Sequence, residues 1–260
     1  MTESATLTNP NNRRVLLDTK GEYDFSLETE VVNWTHNPAF ALASEDFSLR
    51  PEREVTSFVL HNTQGVWPQT IIEGAAPRGM RAENVLSMWR RDKRTASTPL
   101  VIDTDGSTVQ AHYLMPVVAF HAKTANARSI GAELVMETPG KLYTASMETA
   151  ARIIHGLIQS GHPLFKILNP PGMGQELPWL EIRTNYPTNG KKPPMVPVQQ
   201  RGVFGHRDVR PMDRGRGDPG DAVMLRVAEV LESLAGAAPS ATAWFARSPA
   251  GRPLPSKMFV

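Results

Sequence analysis

Apolar residues fall along this chain in short runs of two distinct periods. Val55 to Leu60 is a brief apolar run of the kind a buried strand shows, and it ends at His61. Leu100-Val101-Ile102 is a second such run, turned at Asp105-Gly106 into a third strand from Thr108 to His112, and Ile130 to Met136 is a fourth. Val203-Phe204-Gly205 leads into His206. Helical spacing separates these runs. Arg81 to Arg94 sets Val85, Leu86 and Trp89 against charges on the opposite side, which predicts an amphipathic helix. Ser146 to Ser160 places Met147, Ala150, Ala151, Ile154, Leu157 and Ile158 on one face, with Glu148 in its first turn and Gly161 as its stop signal. Asp221 to Leu234 is the last helix, with Pro219 near its start, where a missing N–H costs nothing. Strands interleaved with helices in this way predict an α/β fold, a mixed central β-sheet flanked by helices.

The segments outside this pattern set the domain organisation. Residues 1–50 offer only short strands around Val15 to Leu17 and Glu30 to Trp34, and are expected as an N-terminal extension packed on the domain. The domain proper is expected over 51–236. Within it, 163–197 is rich in Pro, Gly and Asn, an insertion that is either a surface loop or a lid over a substrate groove. Residues 237–260 are expected as a tail that wraps the surface or moves.

Composition narrows the function classes. A length of 260 residues suits one medium domain with extensions. The formal net charge of +2 carries no nucleic-acid signature, and Arg90, Arg91, Lys93 and Arg94 fit a solvated helix face without an aromatic platform, so no nucleic-acid partner is expected. There is no cysteine, which excludes disulfides and thiolate metal sites; any metal ligands are His and carboxylate. Met1 to Leu17 is polar with no apolar h-region, and no stretch approaches the ~20 apolar residues of a membrane span. The expectation is a chain made in the cytoplasm, without signal peptide or membrane span, that stays there unless another system exports or releases it.

Three residues at the edges of patterned segments carry candidate chemistry. His61 ends one apolar run, His206 follows another, and Asp218 stands before Pro219-Gly220. Two nitrogens and one oxygen form the type of set that holds a catalytic zinc with one position open to water. Singly each has a plainer reading, a hydrogen-bonded strand-end histidine or a helix cap. His36, His112, His155 and His162 lack such context and are read as structural.

Four segments in order resemble a known family. They are Val59-Leu60-His61-Asn62-Thr63, then Pro99-Leu100-Val101-Ile102-Asp103-Thr104-Asp105-Gly106, then Phe120-His121-Ala122 with Asn126 and Ser129-Ile130-Gly131-Ala132-Glu133-Leu134, and finally Gly205-His206-Arg207-Asp208 through Asp218-Pro219-Gly220. Across roughly 51–236 they resemble the zinc-dependent N-acetylmuramoyl-L-alanine amidases of type 2, whose superfamily includes peptidoglycan-recognition proteins and amidase-type phage lysozymes. The resemblance implies a single amidase-type domain holding Zn2+ on His61, His206 and Asp218. It implies hydrolysis of the amide between N-acetylmuramic acid and L-alanine in peptidoglycan or muropeptides. Glu133 matches the general base of the branch without a catalytic tyrosine, and Thr98 stands where other branches place that tyrosine. Arg216 replaces the lysine usual two residues before the last ligand; arginine can stabilise an oxyanion but not give up its proton, so acid duty falls to Glu133. Asn62, His121 and Asn126 are substrate-side candidates. Arg207, Arg210, Arg214 and Arg216 either solvate their loop or meet muropeptide carboxylates. A peptidoglycan-binding module without turnover is the alternative reading, and oligomeric state leaves no mark on the sequence.

Overall fold

The computed structural model describes residues 13–34, 47–50, 53–63, 70–77, 79, 81–91, 97–168, 201–209 and 218–236. In chain order the elements are β1 (Arg14–Val15), β2 (Phe25–Ser26), β3 (Val31–Asn33), β4 (Phe47–Leu49), β5 (Ser57–Asn62), β6 (Thr70–Ile72), α1 (Arg81–Arg91), β7 (Leu100–Ile102), β8 (Thr108–Gln110) and β9 (Val117–Ala119). A 3-10 helix (Lys123–Arg128), β10 (Ser129–Leu134), β11 (Lys141–Tyr143), α2 (Thr144–Gln159), β12 (Gly202–Gly205), α3 (His206–Val209) and α4 (Asp221–Leu234) complete them. Six strands form the central sheet in the order β12-β5-β10-β7-β8-β3. Every neighbouring pair is parallel except β7 with β8, so the sheet is mixed, as the pattern predicts.

The two faces of the sheet are covered differently, and this creates the site. Side chains alternate across a strand. Phe58 and Leu60 of β5, Leu100 and Ile102 of β7, Ile130, Ala132 and Leu134 of β10, and Val203 of β12 enter one large core with the apolar stripes of α2 and α4. Each such fully buried Leu or Ile contributes about 1.5–3 kcal/mol. On the other face the covering is split. Val59 and Phe204 cluster with Ala122, Ala125 and Val209, whereas Val101, Val109 and Val135 cluster with Leu86 and Trp89 of α1 and with Trp34. His61 and Glu133 emerge in the gap between these two clusters.

Helix α1 starts where the sequence predicts, and helix α2 does not. Helix α1 starts at Arg81 because Asp103 Oδ2 accepts the N–H groups of Arg81 (2.7 Å) and Ala82 (3.1 Å), a distant carboxylate satisfying donors that have no partner within the helix. Helix α2 starts two residues earlier than expected, at Thr144. Glu148 therefore leaves the first turn, and it pairs instead with Arg226 of α4 at 2.7 Å.

The described part of the 1–50 segment is woven into the domain. Strand β3 forms an edge of the central sheet, Val15, Leu17, Leu27 and Val31 join the main core, and Gln110 bonds both backbone groups of Leu16. At the start of the predicted insertion, Phe165 and Ile167 are buried in the same core and Val55 bridges Phe165. The rest of that insertion and the 237–260 tail lie outside the described residues. Among those described, no helix is long and apolar enough to cross a membrane.

Leu157, fully buried on the inner face of α2, tests the core assignment. Leu157→Ala should cost about 2–5 kcal/mol in urea unfolding. It should leave the affinity of the cluster described next for a divalent cation unchanged, since the helix lies on the opposite face of the sheet.

Candidate metal centre

Three separate segments deliver the predicted ligands to one point. Strand β5 ends in His61-Asn62, and β12 runs beside it with Gly205 opposite Leu60, so His206 comes level with His61. Asp218 arrives from the loop before α4. Glycine is required at 205, where a Cβ would stand 2.8 Å from Pro219 Cδ and 3.1 Å from the Asp218 carbonyl. The Arg207 N–H donates to that carbonyl at 2.9 Å.

Arg207 itself departs from both sequence readings, which had it solvating the loop or meeting substrate. Its guanidinium is fully buried, bonded to Asp221 and 3.6 Å from Asp208, while Asp208 Oδ2 accepts the Gly205 N–H at 2.9 Å. These bonds tie α3 to the start of α4, and so determine where Asp218 lies.

His61, His206 and Asp218 are 4, 6 and 2 % exposed, and each offers a ligand atom within 4.8 Å of the others. Asp218 Oδ2 lies 3.0 Å from His206 Nδ1 and 3.9 Å from His61 Nδ1. A tetrahedral site with bonds of ~2.0–2.1 Å sets its ligand atoms about 3.3 Å apart. The observed spacings bracket that value, and a buried carboxylate between two imidazoles is what a cation would stabilise. Asp218 Oδ1 accepts the Asn62 N–H at 2.8 Å, which orients the carboxylate and leaves Oδ2 toward the histidines. Asn62, expected on the substrate side, borders the cleft and also anchors a ligand through its backbone.

The hydrogen-bond network around Ser129 and His121 assigns the tautomer of His61. The Ser129 hydroxyl donates to the Ala125 carbonyl at 2.7 Å, so toward His121 Nε2, at 3.1 Å, it can only accept. His121 thus carries its proton on Nε2 and presents a bare Nδ1, which accepts from His61 Nε2–H at 3.0 Å. His61 is left with its Nδ1 lone pair facing Asp218, ready to bind a cation. His121 stays neutral because burial, with the fields of His206 and Arg50 adding to it, lowers its pKa to about 3. Gly131 makes room for the ring: a Cβ there would stand 2.6 Å from His121 Nδ1.

His121, expected to face substrate, thus stands behind His61 while bordering the cleft. Asn126 is not among the cleft residues; its side-chain oxygen accepts the His121 N–H at 3.1 Å and that of Ala122, propping the turn that carries His121.

A cleft of about 530 Å3 opens from His61 and His206 across the gap in the sheet's covering. Glu133 borders it, 8 % exposed, directly opposite His61 on the adjacent parallel strand and therefore on the same face. Thr98 also borders it, its hydroxyl donating to the Leu100 carbonyl at 2.8 Å. The far wall is α1, with Val85, Met88 and Trp89 apolar and Arg81 and Asn84 polar. Arg81 meets Glu137 at 3.4 Å, and Tyr143 holds Glu137 from behind at 2.8 Å. Sequence reasoning missed Arg81, Glu137 and Ser129; only Ser129 lay in a segment already singled out. Arg216, Arg210 and Arg214 lie outside the described residues.

No protein-family model matches the chain, and no curated protein matches it. Among solved structures, a mutant of Drosophila PGRP-LB aligns with 74% of this chain and 93% of its own, at a TM-score of 0.44 and 13% sequence identity.

Metal-stripped protein titrated with zinc should take up one equivalent, and saturation at about 100 times the dissociation constant should raise stability by ~2.7 kcal/mol. His61→Ala, His206→Ala and Asp218→Ala should each abolish most of that uptake. Full stoichiometric binding by any of them would remove that residue from the ligand set.

Proposed function

We propose that the protein is a zinc-dependent hydrolase that cleaves the amide joining the lactyl group of N-acetylmuramic acid to L-alanine in peptidoglycan or muropeptides. The observation that carries this reading is the placement of Glu133: level with His61 on the neighbouring strand, on the wall of the cleft onto which His61 and His206 open. The sequence segments that resemble type 2 amidases supply the substrate class. His61, His206 and Asp218 would hold the zinc. When bound there, zinc supplies Lewis acidity for the carbonyl and lowers the pKa of water toward neutrality.

The work of this chain's own residues is positioning and proton transfer. The apolar wall of Val85, Met88 and Trp89 and the polar groups of Arg81 and Asn84 seat the substrate along α1, with its scissile amide toward His61. Glu133 takes the proton of the attacking water as its oxygen bonds to the carbonyl carbon, then returns it to the alanine nitrogen as the C–N bond breaks. Water is thereby added across the amide, leaving a lactyl carboxylate and a peptide with a free N-terminus. Arg216, by the resemblance, stabilises negative charge on the carbonyl oxygen.

Purified sacculi and soluble muropeptides incubated with the protein should release peptides with N-terminal L-alanine, identified by mass spectrometry. Binding of sacculi without such release would leave the protein a peptidoglycan-binding module. Glu133→Gln keeps shape but cannot accept the proton, and should cost ~100-fold or more in turnover with zinc retained. Turnover within a few-fold of wild type would remove Glu133 from the base role.

Arg216→Ala should cost about 3 kcal/mol in kcat/KM, the scale of one lost oxyanion donor, and Arg216→Lys should recover much of it. Unchanged turnover in Arg216→Ala would leave the oxyanion to other groups.

A further inference from the structure

Arg50 is a buried cation that the reading above does not use. It is 8 % exposed, and among the described residues its side chain bonds only backbone carbonyls. Nε donates to Met115 O at 2.9 Å, Nη2 to Val117 O and Ser129 O at 3.0 Å each, and Nη1 to Ala127 O. Its own N–H is held by Pro116 O at 2.6 Å. The four carbonyls lie at the two ends of one excursion: Met115 and Val117 where β9 begins, Ala127 and Ser129 where the 3-10 helix passes into β10. His121 is carried between them. Ser129 is also the residue whose hydroxyl holds His121 Nε2.

We propose that Arg50 is a positioning residue for the metal centre, acting through Ser129 and His121 to hold His61 in its ligating orientation. The inference rests on reading His61, His206 and Asp218 as a metal site. Burying a guanidinium with no carboxylate among its described partners is costly, and packing alone would be served better by an apolar side chain. What the guanidinium provides is geometry. Its planar fork reaches four divergent carbonyls at once, which the three donors of a lysine ammonium, clustered on one nitrogen, cannot do. Those bonds locate the Ser129 backbone relative to the β9 end, and from Ser129 the path to the ligand is two hydrogen bonds of 3.1 and 3.0 Å. Hydrogen bonds weaken steeply with stretching and misalignment, so a small shift of Ser129 frees the His121 ring and with it the tautomer and tilt of His61.

The test is a double-mutant cycle on the full chain, read by zinc affinity in competition with a chelator and by the visible spectrum of the cobalt(II)-loaded protein. Arg50→Lys and Ser129→Ala should each weaken zinc binding by about tenfold or more. The double variant should be no weaker than the worse single one, because both act on one path. The cobalt spectrum of Arg50→Lys should change in the same sense as that of Ser129→Ala. Leu157→Ala, destabilised through the opposite face, serves as control and should keep wild-type affinity and spectrum. Wild-type zinc affinity in Arg50→Lys, or losses that add in full in the double variant, would overturn the proposal. If Arg50→Lys does not melt cooperatively, Arg50→Gln takes its place in the cycle under the same criteria. A wild-type protein that takes up neither zinc nor cobalt overturns the metal reading itself and this inference with it, whereas normal wild-type uptake with unaffected variants overturns this inference alone.

Discussion

The hydrogen bond from His61 to His121 is the constraint on which the site depends. It settles which nitrogen of His61 faces Asp218, and it is possible only because other features of the fold leave room and direction for it. Gly131 on β10 omits the side chain that would occupy the His121 ring position. Ser129, two residues earlier on the same strand, supplies the acceptor that directs the ring's proton away from His61. Asn126 holds the backbone of the turn. The loss of any one of these would leave a histidine in place with its lone pair free to turn elsewhere.

The same economy appears in the sheet. One face is committed to the large core under α2 and α4, which provides most of the apolar burial and therefore most of the stability. The other face is left half-covered by two smaller clusters, and the strip between them is where buried polar groups can be tolerated because they are bonded to one another. Asp218 is held there by the Asn62 N–H, and beyond the end of β12 Asp208 is held by the Gly205 N–H and Arg207 by Asp221. Low dielectric strengthens each of these bonds and makes each unmet group costly.

What the sequence made readable follows from how local each signal is. Helix α4 matches its expected bounds because its apolar stripe and Asp221 start are contiguous in the chain. Strands β5, β7, β8, β10 and β12 were found from their apolar runs, and His61, His206 and Asp218 stood out jointly, two following apolar runs and one preceding a helix start; the structure brings these three together as a set able to hold a metal ion. Orientation was not readable. His121 and Asn126 lie in the segment singled out, but only the tertiary arrangement shows that one stands behind a ligand and the other props a turn. Glu148 looked like a first-turn acid until the helix gained two residues at its start. Arg50 left no local signal at all, since its carbonyl partners lie 65 to 79 residues away in the chain. Strand β3 lies in the short strand expected around Glu30 to Trp34, but at three residues its alternation does not announce an edge of the sheet.

The most direct test of this account is the tautomer of His61 in the zinc-loaded protein, read from nitrogen-15 chemical shifts and long-range couplings of the histidine rings. The account predicts a ring protonated at Nε2, with Nδ1 shifted by metal coordination, beside a neutral His121 protonated at Nε2. A His61 ring bound through Nε2, or protonated at Nδ1 with zinc present, would contradict it.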